Sequence, residues 1–258
     1  MRLDIDQGNT RIKWRLVSDQ AILLREQWAN IKVNWAQWLE QIRQFSPDGS
    51  LAAVNLATVA KPEFREPLLE FCRQSLGCEP FVAKTQRQFK KAGAQLINSY
   101  EDVARMGVDR WLAMVAAVNE FPGRAIVLVD AGSAITVEFI APSGEHDGGF
   151  IVPGLHMMRS SLLSNTGSVR YRDDEISGLL APGKSTADAV NSGSLASAIG
   201  LIAQAHKSAD QRWQAEPIKL ILSGGDAELL AEHFPAAKIR PDIVLDGLAE
   251  VATGGNAL

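Results

Sequence analysis

One pattern occurs twice in this chain, and it constrains the fold more than any other feature of the sequence. Residues 3–17 read LDIDQGNTRIKWRLV and residues 127–140 read VLVDAGSAITVEFI, offset by 124 positions. Each copy has an apolar run, an Asp, a variable residue, a Gly and then alternating apolar and polar side chains. Because a period of two is typical of half-buried strands, each copy is predicted to be a hairpin with Asp and Gly at its turn. A repeat at nearly half the chain length predicts a duplicated fold.

Further predicted elements follow each hairpin in a similar order. Each half is predicted to hold a third strand, a helix and a later strand, at 21–28, 33–45 and 51–59 in the first half and at 148–155, 155–163 and 218–227 in the second. The longest helices are predicted within 100–120 and 186–206. Strands mixed with helices in both halves predict an α/β protein with two domains around mixed sheets. The FPGR turn near residue 122 divides it into predicted domains 1–121 and 122–258.

Composition and charge exclude several classes of protein. The chain has 258 residues, of which 46% are hydrophobic and 22% charged, as in an ordinary globular protein. Its net charge is −4 and no basic run is present, so neither nucleic acid nor a membrane surface is an expected partner. No apolar run reaches the roughly 18 residues of a membrane span. The acidic start MRLDIDQGNT is unlike a signal peptide, so a cytoplasmic protein is expected.

The cysteines and histidines form no metal-binding pattern. Cys72 and Cys78 are the only cysteines and have no CxxC spacing, so free, buried thiols are expected. The four histidines form neither HxxxH nor HExxH. Any metal in this protein is therefore expected to be bound by oxygen atoms.

The first hairpin turn, Asp6 to Lys13 (DQGNTRIK), combines a carboxylate, a flexible Gly, small polar side chains and a Lys. Backbone N–H groups and hydroxyls at such a turn can hold a phosphate chain, with Asp6 facing magnesium through water and Lys13 as the counter-charge. For one isolated copy, a simple turn is the favoured interpretation. The second copy, Asp130 to Ser133, favours the interpretation as a phosphate clamp.

The sequence GVDRW at 107–111 opens the strongest predicted helix. Asp109 is either the N-cap of that helix, where it would contribute about 1 kcal/mol, or a general base toward an alcohol with Arg110 binding an anionic group. Spacing alone favours the N-cap.

Residues Gly178 to Ser185 (GLLAPGKS) match the phosphate-binding P-loop expression G-x4-G-K-[ST]. The preceding RYRDDE is polar and charged, whereas a P-loop must follow a buried strand. The segment is instead predicted to be a loop that leads into a helix capped by Ser185 or Thr186. Gly224, Gly225 and Asp226, which end the run KLIL, are a weak sign of close approach to a nucleoside.

Five ordered segments together resemble the type III pantothenate kinases: DQGNTRIK, YEDVARMGVDRW, DAGSAIT, GGFIVPG and STADAVNSG. The resemblance covers essentially the whole chain. It implies two duplicated ribonuclease-H-like domains with mixed β-sheets flanked by helices, the actin-like ATPase fold shared by actin, sugar kinases and heat-shock ATPases, which hold ATP in the cleft between the domains. It also implies ATP-dependent phosphorylation of pantothenate, the first step toward coenzyme A, by an obligate homodimer.

The resemblance also implies roles for individual residues. The ATP phosphates would be held by Asp6, Gln7, Gly8, Asn9, Thr10, Arg11, Ile12 and Lys13, and Ser133 would also touch ATP. Pantothenate would be bound by Tyr100, Gly107, Val108, Asp109, Arg110 and Thr186. Asp109 would be the catalytic base. Asp130 would ligate a monovalent cation, potassium or ammonium, and magnesium would accompany ATP near Asp6.

Three positions depart from the family pattern. Gln7 replaces a small or apolar residue, Val103 replaces a common Pro, and Ser133 replaces Thr while keeping its hydroxyl. None removes a group that the chemistry needs. Two other functions remain open: a nucleotide-binding regulatory protein, such as the relatives named as accessory factors to transcription, and a phosphohydrolase of the same superfamily.

Overall fold

The computed structural model describes residues 1–19, 21–47, 51–167, 169–172, 180–214 and 217–254. Contacts divide the chain into two compact units. The first unit holds Met1–Glu120 together with the segment from Asp242 onward, and the second holds Phe121–Pro241. The break at residue 121 coincides with the predicted turn, but the segment after Asp242 groups with the first unit and not with the second half of the chain.

The first unit contains a five-stranded mixed sheet. Its strands are β1 (Arg2–Gln7), β2 (Arg11–Ser18), β3 (Ala21–Ala29), β4 (Ala53–Thr58) and β5 (Phe81–Val82). Their order is β3-β2-β1-β4-β5, with the first three antiparallel and the last two added in parallel. The predicted hairpin and third strand are confirmed at these positions.

Helices and one small hairpin complete the first unit. They are α1 (Trp35–Phe45), α2 (Pro62–Gln74), the hairpin β6 (Gln88–Lys91) and β7 (Ala94–Ile97), α3 (Val108–Glu120) and the final helix of the chain, Ile243–Ala252. The helix predicted within 100–120 begins only at Val108, because residues 100–107 form an extended loop with a short 3-10 turn at Val103–Arg105. That loop carries two of the expected substrate residues, Tyr100 and Gly107.

The second unit repeats the sheet of the first. Its strands are β8 (Ile126–Ala131), β9 (Ala134–Ile140), β10 (His146–Pro153), β11 (Lys219–Ser223) and β12 (Lys238–Ile239), in the order β10-β9-β8-β11-β12. The antiparallel and parallel pairings are the same as in the first sheet. The predicted duplication is therefore confirmed at the level of topology.

The described residues of the second unit form three helices: α4 (Leu155–Asn165), α5 (Thr186–Arg212) and α6 (Ala227–Ala231). The final helix, α7, packs in the first unit against β1, β4 and α3. Its Gly247 lies directly on the backbone carbonyl of Leu112 in α3, where any Cβ would overlap. This close crossing explains why the last segment groups with the first unit although it follows the second in sequence.

Each unit has its own hydrophobic core. In the first unit Leu3, Ile5 and Ile12 pack with Trp14 and Trp38. In the second unit the inner faces of β8, β9 and β11 pack against α5. Cys72 is a buried free thiol and Cys78 a half-buried one, and burial raises the pKa of Cys72 to about 12, so that thiol stays protonated at neutral pH.

None of the helices in the described part of the chain is both long enough and apolar enough to cross a membrane.

Candidate functional site

The β1–β2 turn separates its side chains between the two faces of the first sheet. Asp6 lies opposite Lys13, and Gln7 lies opposite Ile12. Since directly opposed residues share a face and neighbours alternate, Asp6 and Lys13 project to one side and Gln7 and Ile12 to the other. Gly8 closes the turn, and its N–H donates to Arg11 O at 2.9 Å. Asn9, Thr10 and Arg11 are exposed at the tip.

Gln7 and Ile12 are structural residues of this turn. Ile12 is fully buried in the core of the first unit. The Gln7 amide is also buried: its Nε2 donates to Phe64 O at 2.9 Å, and its Oε1 accepts from the Thr58 hydroxyl at 3.0 Å. Their side chains point into the fold, so any contact of these two residues with a ligand would be through the backbone. The side chain of Gln7, the first departure from the family pattern, fixes β1 against β4 and α2.

Two residues outside the expected motif hold the turn in place. The Asn30 amide donates to Gly8 O, and its backbone N–H donates to Thr10 O at 3.0 Å. On the other side, Asn9 Oδ1 accepts the N–H of Lys61 at 3.2 Å. Nothing in the sequence around Asn30 marks this role, because the contact spans more than twenty residues.

The corresponding turn of the second unit is enclosed by glycines. Asp130 is the half-buried residue before the last one of β8, and Ser133 is exposed in the turn that follows. Gly154, the N-cap of α4, donates to Ser133 O at 3.0 Å and lies on the carbonyl of Gly132. Gly224 has a positive φ of 90°, and a Cβ there would lie 2.5 Å from Asp130 Oδ1. The carboxylate of Asp130 therefore stands among backbone groups at the carboxyl ends of β8 and β11.

The donor set at Asp130 fits a weakly bound hard cation. A carboxylate with a neighbouring backbone carbonyl, here that of Ala131, is the ligand type that such ions take, with water completing the shell. Across the described ranges, no group of three or more His, Cys, Asp or Glu residues could hold a metal by itself. Asp6, likewise a single carboxylate, fits magnesium, which usually keeps several waters and binds substrate phosphates.

The expected substrate residues on the first unit come together at the start of α3. The Arg110 guanidinium donates from Nη1 to the Tyr100 hydroxyl at 2.9 Å and lies 5.5 Å from the centre of its ring. Asp109, half-buried, accepts the N–H of Arg110 at 2.8 Å. Val108 is buried, so its side chain packs inside the unit. This cluster, Tyr100 with Gly107–Arg110, is called the substrate loop below.

Asp109 lies inside the first turn of α3 and does not precede it as an N-cap would. Its carboxylate folds back over Gly107, so that a Cβ on Gly107 would lie 2.5 Å from Asp109 Oδ1. A carboxylate in the first turn is stabilised by the helix dipole. Asp109 is therefore not the N-cap residue itself, although its carboxylate accepts the N–H of Arg110 in the first turn.

Gly107→Ala is expected to displace the Asp109 carboxylate, because the new methyl group would overlap Asp109 Oδ1. Since catalysis depends on the position of this carboxylate, turnover should fall by at least about tenfold. The protein should remain folded, since Gly107 is half-buried at a loop. Steady-state kinetics with thermal unfolding as the control measure both. Unchanged turnover would show that the contact with Gly107 does not fix the carboxylate.

Thr186, the expected substrate residue of the second unit, is the exposed first residue of α5. Ser185 is the N-cap and accepts the N–H of Asp188 at 3.1 Å, as the sequence predicts. Thr186 lies at a cavity of about 490 Å³ between α4 and α5, whose lining includes Met158, Leu162 and Val190. The P-loop-like match begins at Gly178, which lies outside the described residues, and Leu180–Lys184 contains no strand.

Two solved structures share this fold over nearly the whole chain. One is described as a conserved putative Baf family transcriptional activator from Campylobacter jejuni, with a TM-score of 0.60, 23% identity and 97% of each chain covered. The other, a putative 2-dehydro-3-deoxygalactonokinase from Sinorhizobium meliloti, has a TM-score of 0.54, 12% identity and 100% of each chain covered. At these identities the likeness concerns the fold alone. Two topologically identical mixed sheets, each with an Asp-containing turn, define a class of duplicated α/β proteins, whose fold the Sinorhizobium meliloti protein shares.

Sequence comparisons resolve the family within this class. Residues 2–208 match the sequence profile of the type III pantothenate kinases. A type III pantothenate kinase from Ectopseudomonas mendocina (strain ymp) is 36% identical over 252 residues, and one from Pseudomonas syringae pv. syringae (strain B728a) is 34% identical over 254. Both alignments cover 96% of this chain and 98% of the relative. The chain belongs to the type III pantothenate kinase family.

Proposed function

We propose that the protein transfers the γ-phosphoryl group of ATP to the primary hydroxyl of pantothenate, producing 4'-phosphopantothenate and ADP in the first step of coenzyme A biosynthesis. Family membership supports the reaction. The single structural observation that carries it is the substrate loop, in which Arg110, held by Tyr100, stands next to Asp109. An anion-binding guanidinium beside a carboxylate suits an acceptor with a carboxylate and a hydroxyl.

The chain's own groups have distinct tasks in this reaction. The exposed tip of the β1–β2 turn offers backbone N–H groups to the ATP phosphates, with Lys13 on the adjacent strand as a positive charge. Arg110 orients pantothenate by binding the carboxylate of that substrate. Asp109 accepts the proton of the acceptor hydroxyl as that oxygen bonds to the γ-phosphorus and the bond to ADP breaks. Phosphoryl transfer has a loose transition state, so positioning and electrostatics supply most of the catalysis.

Magnesium and a monovalent cation complete the proposed site. Asp6 would hold magnesium through water, and magnesium would neutralise charge on the phosphates. Asp130 would ligate potassium or ammonium, Ser133 would touch ATP and Thr186 would touch pantothenate, the roles that the resemblance implies. We place the reaction in the cytoplasm, where ATP is available, with neither nucleic acid nor a membrane as a partner.

Acceptor-dependent ADP release tests the proposal. Purified protein with ATP and magnesium is assayed with and without pantothenate, in potassium, ammonium and sodium buffers. ADP that forms only with pantothenate supports the kinase, and a higher rate in potassium or ammonium than in sodium supports the cation site. ADP without an acceptor would identify a phosphohydrolase instead, and ATP binding without turnover would favour a regulatory protein.

The homodimer is also proposed, and exposed apolar side chains on the second unit support it. Phe150 and Ile151 on β10, and Met157 and Leu162 on α4, are all exposed. Exposed large apolar side chains on a strand and on the helix that follows it are typical of parts of a protein that another chain covers. Sedimentation velocity is expected to give a dimer for the native chain and a monomer for Ile151→Glu. A native monomer would contradict this part of the proposal.

A further inference from the structure

We infer that Arg87 is a positioning residue for the substrate loop, acting with Asn98 through the backbone of residues 98–101. The inference rests on the proposed function, since it assigns these residues to pantothenate binding. Neither residue belongs to a motif that the sequence singles out. Arg87 immediately precedes β6 and Asn98 immediately follows β7, so both lie at the open end of the β6–β7 hairpin.

The Arg87 guanidinium donates hydrogen bonds to three backbone carbonyl groups of the loop. Arg87 Nη1 donates to Asn98 O at 2.9 Å and to Tyr100 O at 2.6 Å, and Nη2 donates to Glu101 O at 2.7 Å. Only the planar, branched guanidinium can donate in several fixed directions at once, whereas a Lys ammonium is a single point on a flexible stem. Arg87 therefore sets the path of the backbone on both sides of Tyr100.

Asn98 holds the same segment from inside the unit. It is 1% exposed, and its Oδ1 accepts the N–H of Tyr100 at 3.0 Å. Its backbone N–H donates to Arg87 O at 2.8 Å, which extends the hairpin by one pair. The far end of the loop is fixed separately, since the Thr85 hydroxyl donates to Met106 O at 2.9 Å, directly before Gly107.

These contacts lead from Arg87 to the chemistry through Tyr100. The Tyr100 hydroxyl accepts from Arg110 and its ring lies against the same guanidinium, and Arg110 follows Asp109 on α3. Loss of the Arg87 contacts frees the Tyr100 backbone and with it the orientation of Arg110. Arg87 itself is exposed, so this change leaves the cores untouched.

Two substitutions at Arg87 and one control separate positioning from charge. Arg87→Ala removes the contacts and the charge, Arg87→Lys removes the branched donor but keeps the charge, and Lys90→Ala removes an exposed charge from the same hairpin. We expect both Arg87 variants to raise the KM for pantothenate by about tenfold or more, with the KM for ATP and the melting temperature unchanged. Lys90→Ala should behave as the native protein. Calorimetry in the absence of ATP should give a higher Kd for pantothenate in both Arg87 variants than in the native protein and Lys90→Ala.

A double-substitution cycle tests the route through Tyr100. If Arg87 acts through that residue, Arg87→Ala adds little to Tyr100→Ala, because coupled residues are not additive. Full additivity would overturn the inference, and so would an Arg87→Lys variant with the native KM, since charge alone would then suffice. A native protein without pantothenate-dependent turnover or pantothenate binding would instead contradict the proposed function, a distinct outcome.

Discussion

Asp109→Asn is expected to lower kcat by about two to four orders of magnitude, the usual contribution of a general base, with little change in the KM for ATP. Asn keeps the size of the side chain and an oxygen that can accept the Arg110 N–H, the contact that Asp109 makes at 2.8 Å. It cannot take a proton from the acceptor hydroxyl. Catalysis and local structure are therefore separated by one substitution, measured by steady-state kinetics and thermal unfolding on the same preparation.

Asp102→Asn is the matched control for this experiment. Asp102 is exposed in the same loop and also accepts a backbone N–H, that of Ala104 at 3.1 Å, but has no assigned part in the reaction. It should retain native turnover. If Asp109→Asn also retains native turnover, Asp109 only stabilises the start of α3, because Asn serves helix N-termini nearly as well as Asp.

The hairpins of both units were predictable because their signals are local. Alternation over Ile12, Trp14 and Leu16 and over Ile135, Val137 and Phe139 places one face of each hairpin in a core, and the structure has both sets buried. The repeated Asp-x-Gly turn made the duplication visible without any knowledge of the fold. Ser185 was found as a helix cap for the same reason, since a cap and its helix adjoin in sequence.

The missed features depend on contacts between distant residues. In the sequence Gln7 belongs to a polar turn, but in the structure its side chain is buried and hydrogen-bonded to the Thr58 hydroxyl and the Phe64 carbonyl. The three carbonyls that Arg87 binds belong to a loop more than ten residues away. Every residue has a backbone carbonyl, whatever its side chain, so no pattern of residue types in the sequence can indicate such contacts. The placement of α7 likewise depends on Gly247 fitting against α3, a steric match that only three dimensions reveal.

A buried charge network in the first unit gives the largest expected loss of stability. Asp4 is fully buried and accepts from Arg2 at 2.9 Å, from Arg15 at 3.1 Å and from Asn55 at 2.8 Å. Arg15 also binds Asp246 at 2.6 Å and the carbonyl of Leu245 at 2.8 Å, which ties α7 to β2. The network therefore joins the sheet to the segment that returns from the end of the chain.

Arg15 stays charged in this network. Burial lowers its pKa, but the hydrogen bond to Asp246 and the charges of Asp4 and Asp246 outweigh that effect, so its pKa lies above the usual value. A pKa that is higher in the folded than in the unfolded state stabilises the fold. This stabilisation is fully present below the ordinary pKa of Arg and is lost only as the pH rises above it. Removal of Asp4 consequently leaves a buried positive charge with one carboxylate partner at every pH used for unfolding experiments.

Asp4→Ala is expected to lower the free energy of unfolding of the first unit by about 3 to 5 kcal/mol, the usual effect of breaking a buried ion pair from one side. Urea unfolding followed by tryptophan fluorescence measures it, because five of the six tryptophans, all but Trp213, belong to this unit. Glu79→Gln, which breaks the exposed pair of Glu79 with Arg73, is the control and should leave the midpoint unchanged. Equal midpoints for the native protein and Asp4→Ala would show that Asp246 and the carbonyl of Leu245 satisfy Arg15 without Asp4.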